Sequence, residues 1–422
     1  MHTNPVSWKR NASLFMFSQA LSLFGTSLVH YAVVWHITLA ARSGWMMGLL
    51  TAAGTLPTLV ASPFGGVWAD RYDKKRLICV ADGAIAVTTL AMAAFLSIGV
   101  EHFAVLLLCL AVRAAGQGVQ QPAVSSLLPS IVPHEHLTRV NGINGSVQSM
   151  VMLASPMAGG ALLMIAPIQT ILYIDVFTAA IAIVTLLWFV QSPVAGQRND
   201  SRTGTSHCLT DVRDGLQYMA GQVFLKRLLV VYAIYCFLAA PSAVLTPLQV
   251  ARNWGDEVWN VVGGISFGAE QRIAIAETAF FAGMVMGGVF IGIWGGFRNR
   301  SHTLVLSTCL FGVCAFGLGA LSVYWLYIAC MSIAGFGISL MNAPLMTTLQ
   351  LNIDPAFMGR AFSVMSMLGN VATPLAMILW GPLADYANIN LILVATGACL
   401  FILGITMLFD KAILEAGAVG AN

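Results

Sequence analysis

Residues 171–190 read ILYIDVFTAAIAIVTLLWFV, and no side of that stretch is polar. Twenty such residues in a helix reach about 30 Å, the thickness of a bilayer's hydrocarbon core. Comparable runs fall at roughly 12–40, 44–69, 77–99, 103–127, 141–165, 168–190, 226–249, 273–295, 303–322, 324–347, 360–383 and 388–409, twelve in all. Only 9% of the residues are charged and 58% are hydrophobic. A soluble chain carries about 25% charged residues, so a water-facing surface cannot be built here. In lipid the backbone must satisfy its own hydrogen bonds, and barrel strands would alternate apolar and polar positions. The expectation is an all-α membrane protein with twelve transmembrane helices.

The charges that remain sort by side. With an even number of spans both termini share one side. Sixteen of the 20 Lys and Arg fall there, three (Arg42, Arg252, Arg272) on the other, and Arg113 within a helix. The excess marks the cytoplasmic side, so both termini are expected in the cytoplasm. Residues 65–76, GGVWADRYDKKR, hold six charges in twelve positions and form one of these inner loops. The eight cysteines lie mostly inside apolar runs, without pairing or metal spacing, and read as small core residues.

A polar stretch near 191–225 divides the chain into 1–190 and 226–422, six runs on each side. It contains QRNDSRTGTS, a linker composition, then LTDVRDGLQYMAGQ, which suits a short amphipathic helix. The halves echo one another near an offset of 220 residues. Pro122 and Pro133 precede Arg139 as Pro344 and Pro355 precede Arg360. Ser146-Val-Gln-Ser-Met before Pro156 matches Ser363-Val-Met-Ser-Met before Pro374, and Gly65-Gly66 matches Gly295-Gly296. An internal duplication into two pseudo-symmetric six-helix bundles suggests a transporter with a site near the midplane.

Gly66-Val-Trp-Ala-Asp70-Arg71-Tyr-Asp-Lys74-Lys75 resembles the signature loop between helices 2 and 3 of the major facilitator superfamily, with Trp68 and Asp73 departing from its usual Leu and Gly. The resemblance covers nearly the whole chain and implies the major facilitator fold. The Asp73 form, Trp8-Lys9-Arg10, Gln19-Ala-Leu-Ser-Leu, Ile174-Asp175-Val and Met358-Gly359-Arg360-Ala-Phe-Ser look like the macrolide-efflux type of drug/proton antiporter. Ala-Ser155-Pro156-Met-Ala-Gly159-Gly160 partly matches the antiporter signature of helix 5. The family implies that Asp70 meets the start of helix 11, near Gly359 and Arg360. Gly66, Asp70, Arg71, Lys74, Lys75, Gly359 and Arg360 would then form a conformational latch. Gly66 permits close helix approach, and a carboxylate favours a helix N-terminus. Lys74 to Arg76 also read simply as topology anchors.

A charge within the bilayer costs at least roughly 2.5–3.5 kcal/mol and needs a reason. Arg113, Glu277 and Asp175 are the proton-coupling candidates. For Arg113 and Asp175 the alternative is structural pairing, Asp175 with hydroxyls or with helix 4. Asp82, close behind the basic loop, is expected to pair with that loop. Gln19, Thr26, His30, Gln117, Tyr232, Tyr235, Met341 and Asn342 are expected to contact substrate. Packing within the core is the plainer account of Met and aromatic residues, and hydrogen bonding that of a helical His. His134-Glu-His136 reads as a solvated turn without a third metal ligand.

No phosphate-binding GxxxxGK[ST] motif occurs, so no enzyme, cofactor, metal or nucleic-acid role is expected, and energy would come from an ion gradient. The expected function is proton-coupled efflux of amphipathic, macrolide-like drugs across a bacterial cytoplasmic membrane by a monomer in contact with lipids. A lipid or lysophospholipid flippase of the same fold, and a non-transporting receptor or scaffold, are the alternatives.

Overall fold

The computed structural model describes residues 5–99, 102–190, 217–255, 259–261, 265–353 and 357–418. The helices are α1 (Pro5–Ala41), α2 (Gly44–Arg71), α3 (Lys74–Ser97), α4 (Phe103–Ile131), α5 (Leu137–Ile165), α6 (Ile168–Phe189), α7 (Val223–Val244), α8 (Thr246–Trp254), α9 (Ala269–Trp294), α10 (Arg300–Ala320), α11 (Tyr324–Asn352), α12 (Met358–Tyr386), α13 (Ile389–Met407) and α14 (Lys411–Gly417). Twelve are long and apolar enough to cross a membrane, namely all but α8 and α14. They coincide with the twelve apolar runs. One small addition to the helical pattern is a hairpin of β1 (Trp259–Val261) and β2 (Ile265–Phe267), with Trp259 opposite Phe267. The 191–216 part of the linker lies outside the described residues; 217–221 are helical.

Helix ends follow local chemistry. Asp73 caps α3, its carboxylate accepting from the Arg76 amide at 3.0 Å, and Asn299 caps α10 by accepting from the Ser301 amide at 3.0 Å. A short polar side chain at this position satisfies an orphan amide. The two basic loops therefore open their following helices in the same way. Their glycine pairs differ. Gly295 and Gly296 take φ of 75° and 82° and end α9, whereas Gly65 and Gly66 lie inside α2. Pro247, in the first turn of α8, follows the break at Leu245 that splits the run at 226–249 into α7 and α8.

The chain forms two compact units, Met1–His36 with Ala53–Cys208, and Ile37–Ala52 with Leu209–Asn422. The boundary thus crosses α1 and α2, whose joined ends belong to the second unit. In the first unit, Phe15, Ile78, Leu127 and Leu186 belong to a core where α1, α3, α4 and α6 meet. In the second, Tyr235, Phe311, Leu349 and Leu400 belong to a corresponding core. Between helices in lipid, close packing rather than apolar burial drives association. Glycines supply it. A Cβ on Gly65 would lie 2.7 Å from the Val119 Cα, and one on Gly118 would meet the Thr58 carbonyl, so α2 and α4 touch backbone to backbone. Gly66, expected to make that approach, has nothing within 4 Å of its Cβ position among the described residues. Its neighbour Gly65 does so, one helical position round. In the second unit Gly283 and Gly287 on α9 meet Ser332 and Phe336 on α11, and Gly335 answers against Phe280.

Arg252 and Arg272, expected in aqueous loops, are anchored instead. Arg272 is 0% exposed in the first turn of α9 and donates to the Trp254 carbonyl, the C-terminal end of α8. That end carries partial negative charge, which suits a cation. Arg252 pairs with Asp385 at 2.7 Å, and Asp385 also accepts from the amides of Gly44 and Trp45 at 2.6 and 2.9 Å. A carboxylate on α12 thereby caps the start of α2, within the second unit.

Candidate functional site

The first unit contains a cavity of about 430 Å³, within the size range of small-molecule sites. Gln19, Ser22, Thr26 and His30 line it from α1, Gln117, Gln120 and Gln121 from α4, and Asn144 and Gln148 from α5. Spacings of three and four put each set on one side of its helix. Four of the expected substrate contacts, Gln19, Thr26, His30 and Gln117, therefore converge on one space. The remaining amides were not singled out in the sequence, although their spacing at 117, 120 and 121 and at 144 and 148 was visible there. The lining is rich in neutral groups that both donate and accept. Apolar Leu23, Val124, Val147 and Met152 complete it, so the cavity suits an amphipathic guest.

Asp82 of α3 stands behind this wall and is only 2% exposed. Its Oδ1 accepts from Ser22 Oγ at 3.1 Å and from Gln120 Nε2 at 2.6 Å, both from cavity-lining residues. Its Oδ2 has no hydrogen-bond partner among the described residues, and neither does the buried Nε2 of Gln19. The expected pairing of Asp82 with the basic loop is not seen. Lys74 instead donates to the Ser126 carbonyl at 3.1 Å, and Lys75 to the carbonyls of Leu187 and Val190 at 2.8 and 2.7 Å. These lysines tie the loop to the ends of α4 and α6 within their own unit.

Arg113 of α4 and Asp175 of α6 form a buried ion pair at 2.7 Å, with side chains 3% and 2% exposed. Thr89 of α3 joins them, donating to Asp175 at 2.9 Å and accepting from Arg113. Three helices are thus clasped by one charged cluster. Gly25 of α1 makes room for it, since a Cβ there would lie 2.7 Å from Asp175 Oδ1. The pairing alternative raised by the sequence is the arrangement observed.

In the second unit Tyr232, Tyr235 and Met341 do converge, but around a gap of only about 20 Å³, room for a single water. Tyr235 and Met341 are buried in the core, with Tyr235 against Phe311 at 5.7 Å between ring centroids. The structure gives these two a packing role. Asn342 is exposed and lines neither space. Glu277 is half-buried on α9 and makes no hydrogen bond or ion pair among the described residues. Arg71 is exposed at the end of α2. The side chains of Asp70, Met358 and Arg360, and the surroundings of Gly359, lie outside the described residues.

Comparison with known proteins bears on this arrangement. The family model described as Major Facilitator Superfamily matches residues 13–269. The chain is 27% identical over 389 residues to Macrolide efflux protein A of Streptococcus pyogenes, covering 91% of this chain and 92% of that protein. It is 24% identical over 403 residues to Multidrug efflux pump Tap of Mycolicibacterium fortuitum, covering 94% of each. Among solved structures it shares the fold of the nucleoside transporter NupG, with TM-score 0.71, 12% identity, and 94% and 98% of the two chains covered. It shares it also with a POT peptide transporter, with TM-score 0.71, 12% identity, and 96% and 95% covered. Twelve membrane-crossing helices, a fold held in common with these transporters and a family match across more than half of the sequence lead to one conclusion: this chain belongs to the Major Facilitator Superfamily.

Proposed function

We propose that this protein exports amphipathic organic compounds, macrolide-like drugs among them, in exchange for protons. The amide-lined cavity of the first unit carries the reading. It is large enough for part of a drug-sized guest, it combines neutral hydrogen-bonding groups with apolar walls, and it occurs in a chain whose likeness to efflux proteins spans about nine-tenths of its length. Gln19, Thr26, His30 and Gln117 are its proposed cargo contacts. Transport would proceed by alternating exposure of the site in a bacterial cytoplasmic membrane, by a monomer with both termini inside. Arg113, Glu277 and Asp175 are the proposed coupling set, of which Glu277 is the carboxylate without a partner among the described residues. Asp70 and Arg71, with Gly359 and Arg360, are the proposed latch.

Expression in a pump-deficient bacterium should raise the inhibitory concentration of at least one macrolide and lower its cellular accumulation. A protonophore should abolish both effects. No change across a macrolide panel would remove the cargo assignment, and protection that survives the protonophore would remove the coupling. In the same cells Asp70→Asn should insert at wild-type level yet export nothing; export at the wild-type rate would remove the latch.

A further inference from the structure

The buried charges of the first unit are not equivalent. Arg113 and Asp175 satisfy each other. Asp82 has no counter-ion among the described residues. The ionisable groups that act on it are Asp175 on α6, already neutralised by Arg113 of α4, and Cys79 on its own helix, while His30 of α1 lines the same cavity. Lys74 and Lys75, earlier on α3, are spent on carbonyl oxygens. Two neutral donors hold one oxygen of Asp82, and the other is buried without a hydrogen-bond partner among the described residues. A lone carboxylate is too costly to leave charged in such a place. A proton on Oδ2 removes the cost without disturbing either bond to Oδ1. Ser22 and Gln120, which make those bonds, are also the cavity wall, so a guest lies one side chain away from the carboxyl group.

We infer that Asp82 is the proton-holding group of this cavity, and that the cavity takes an amphipathic organic cation whose charge displaces the proton. The inference rests on the export reading and names its proton site and its cargo class. Oδ2 takes a proton from water on the proton-rich side. When the cation enters from the other side, its positive charge favours the carboxylate, the O–H bond breaks, and the proton leaves to water on that side. Guest and proton exclude one another through a wall of two side chains, which is the exclusion an antiporter requires. The amide wall itself carries no formal charge, so the fixed charge that selects a cationic guest is that of Asp82.

The test uses full-length protein in detergent and tetraphenylphosphonium, a permanent cation with no proton of its own. Adding it to wild-type protein in weakly buffered solution should release protons. Asp82→Asn, fixed in the neutral form, should bind it only as weakly as wild type does at low pH and release no proton, and Asp82→Glu should restore both binding and release. Wild-type affinity should fall about tenfold for each pH unit of acidification across the titration of the site and stay flat in Asp82→Asn. Gln120→Leu, which removes a donor to the carboxylate, should move that titration to higher pH. Proton release from Asp82→Asn equal to wild type would overturn the assignment in favour of another carboxylate such as Glu277. Absence of release from wild type would overturn the cationic cargo. A response that follows sodium instead of pH would overturn the proton. Infrared difference spectra supply a measurement without cargo: the carbonyl stretch of a protonated carboxylic acid should appear in wild type and vanish in Asp82→Asn, and its absence from wild type at every pH would overturn the site. If that band is present but no macrolide is exported from cells, the export reading fails while the proton site stands. If export is protonophore-sensitive in both wild type and Asp82→Asn, the reverse holds.

Discussion

Asp175→Asn is expected to lose about 3–5 kcal/mol of stability, because it leaves Arg113 charged and buried without a counter-ion. The size follows from the surroundings. Both side chains are almost fully buried, and the pair joins α4 to α6 with Thr89 of α3 as the third member. Once the carboxylate becomes an amide, Arg113 keeps one neutral acceptor, Thr89, and faces an amide that can donate as well as accept. Removing both charges should behave differently. Arg113→Met with Asp175→Leu replaces the pair by apolar groups of similar bulk, and such replacements are commonly neutral or stabilising by 1–4 kcal/mol. Thermal or denaturant unfolding of the three proteins in one detergent gives the comparison. A single variant as stable as wild type would show that the cluster bears little load. The double variant also separates structure from coupling: if it folds and exports with normal proton movement, Arg113 and Asp175 are struts; if it folds and no longer moves protons, they belong to the coupling set.

Gly283→Leu is expected to prevent α9 and α11 from packing. A Cβ at residue 283 would run into the Ser332 carbonyl, and α11 offers no give because Gly335 is pressed equally against Phe280. Overpacking a tight site costs about 1–3 kcal/mol when side chains can shift. Here the obstacle is backbone on both helices, so the whole crossing must open, and the expected loss is at or above the top of that range. Gly292, further along α9, has nothing within 4 Å of its Cβ position among the described residues. Gly292→Leu should therefore stay within about 0.5 kcal/mol of wild type. Unfolding measurements on the two variants decide the matter, and equal effects would show that the crossing is looser than its geometry implies.

These two sites differ in how much of them could be read in advance. Arg113 and Asp175 announce themselves, since a charge inside an apolar run demands an explanation. Their partnership does not, because 62 residues and two loops separate them. Asp82 departs from its expected pairing for a related reason. Its place on α3 suggested the nearby basic loop, but Lys74 and Lys75 are drawn to the carbonyl ends of α4 and α6, and Asp82 turns to α1 and α4. Glycine spacing was equally ambiguous. Gly65 and Gly66 are neighbours in sequence, and only the rotation of α2 against α4 decides which one meets a backbone.

The substrate candidates divide in the same way. Gln19, Thr26 and His30 line one cavity because helical periodicity puts these polar positions on one side of α1, and the packing of α4 beside it brings Gln117 to the same space. Tyr235 and Met341 carry equally plausible chemistry and are consumed by the core of the second unit, while Asn342 is exposed and lines neither space. Arg272, counted among loop charges, is fully buried because the C-terminus of α8 offers it a carbonyl.

What the amino-acid order determines here is the solvent and therefore the class of architecture. Twelve apolar runs in a chain with few charges can only be helices in lipid, since backbone groups have no water to turn to there. Their lengths, the basic loops and the superfamily follow from local pattern alone. What only the tertiary structure decided is which polar group meets which. That choice depends on helix rotation and crossing, where a step of one residue turns a side chain by about 100°, and it made Arg113 and Asp175 a closed pair and left Asp82 behind the cavity with one oxygen unpartnered among the described residues.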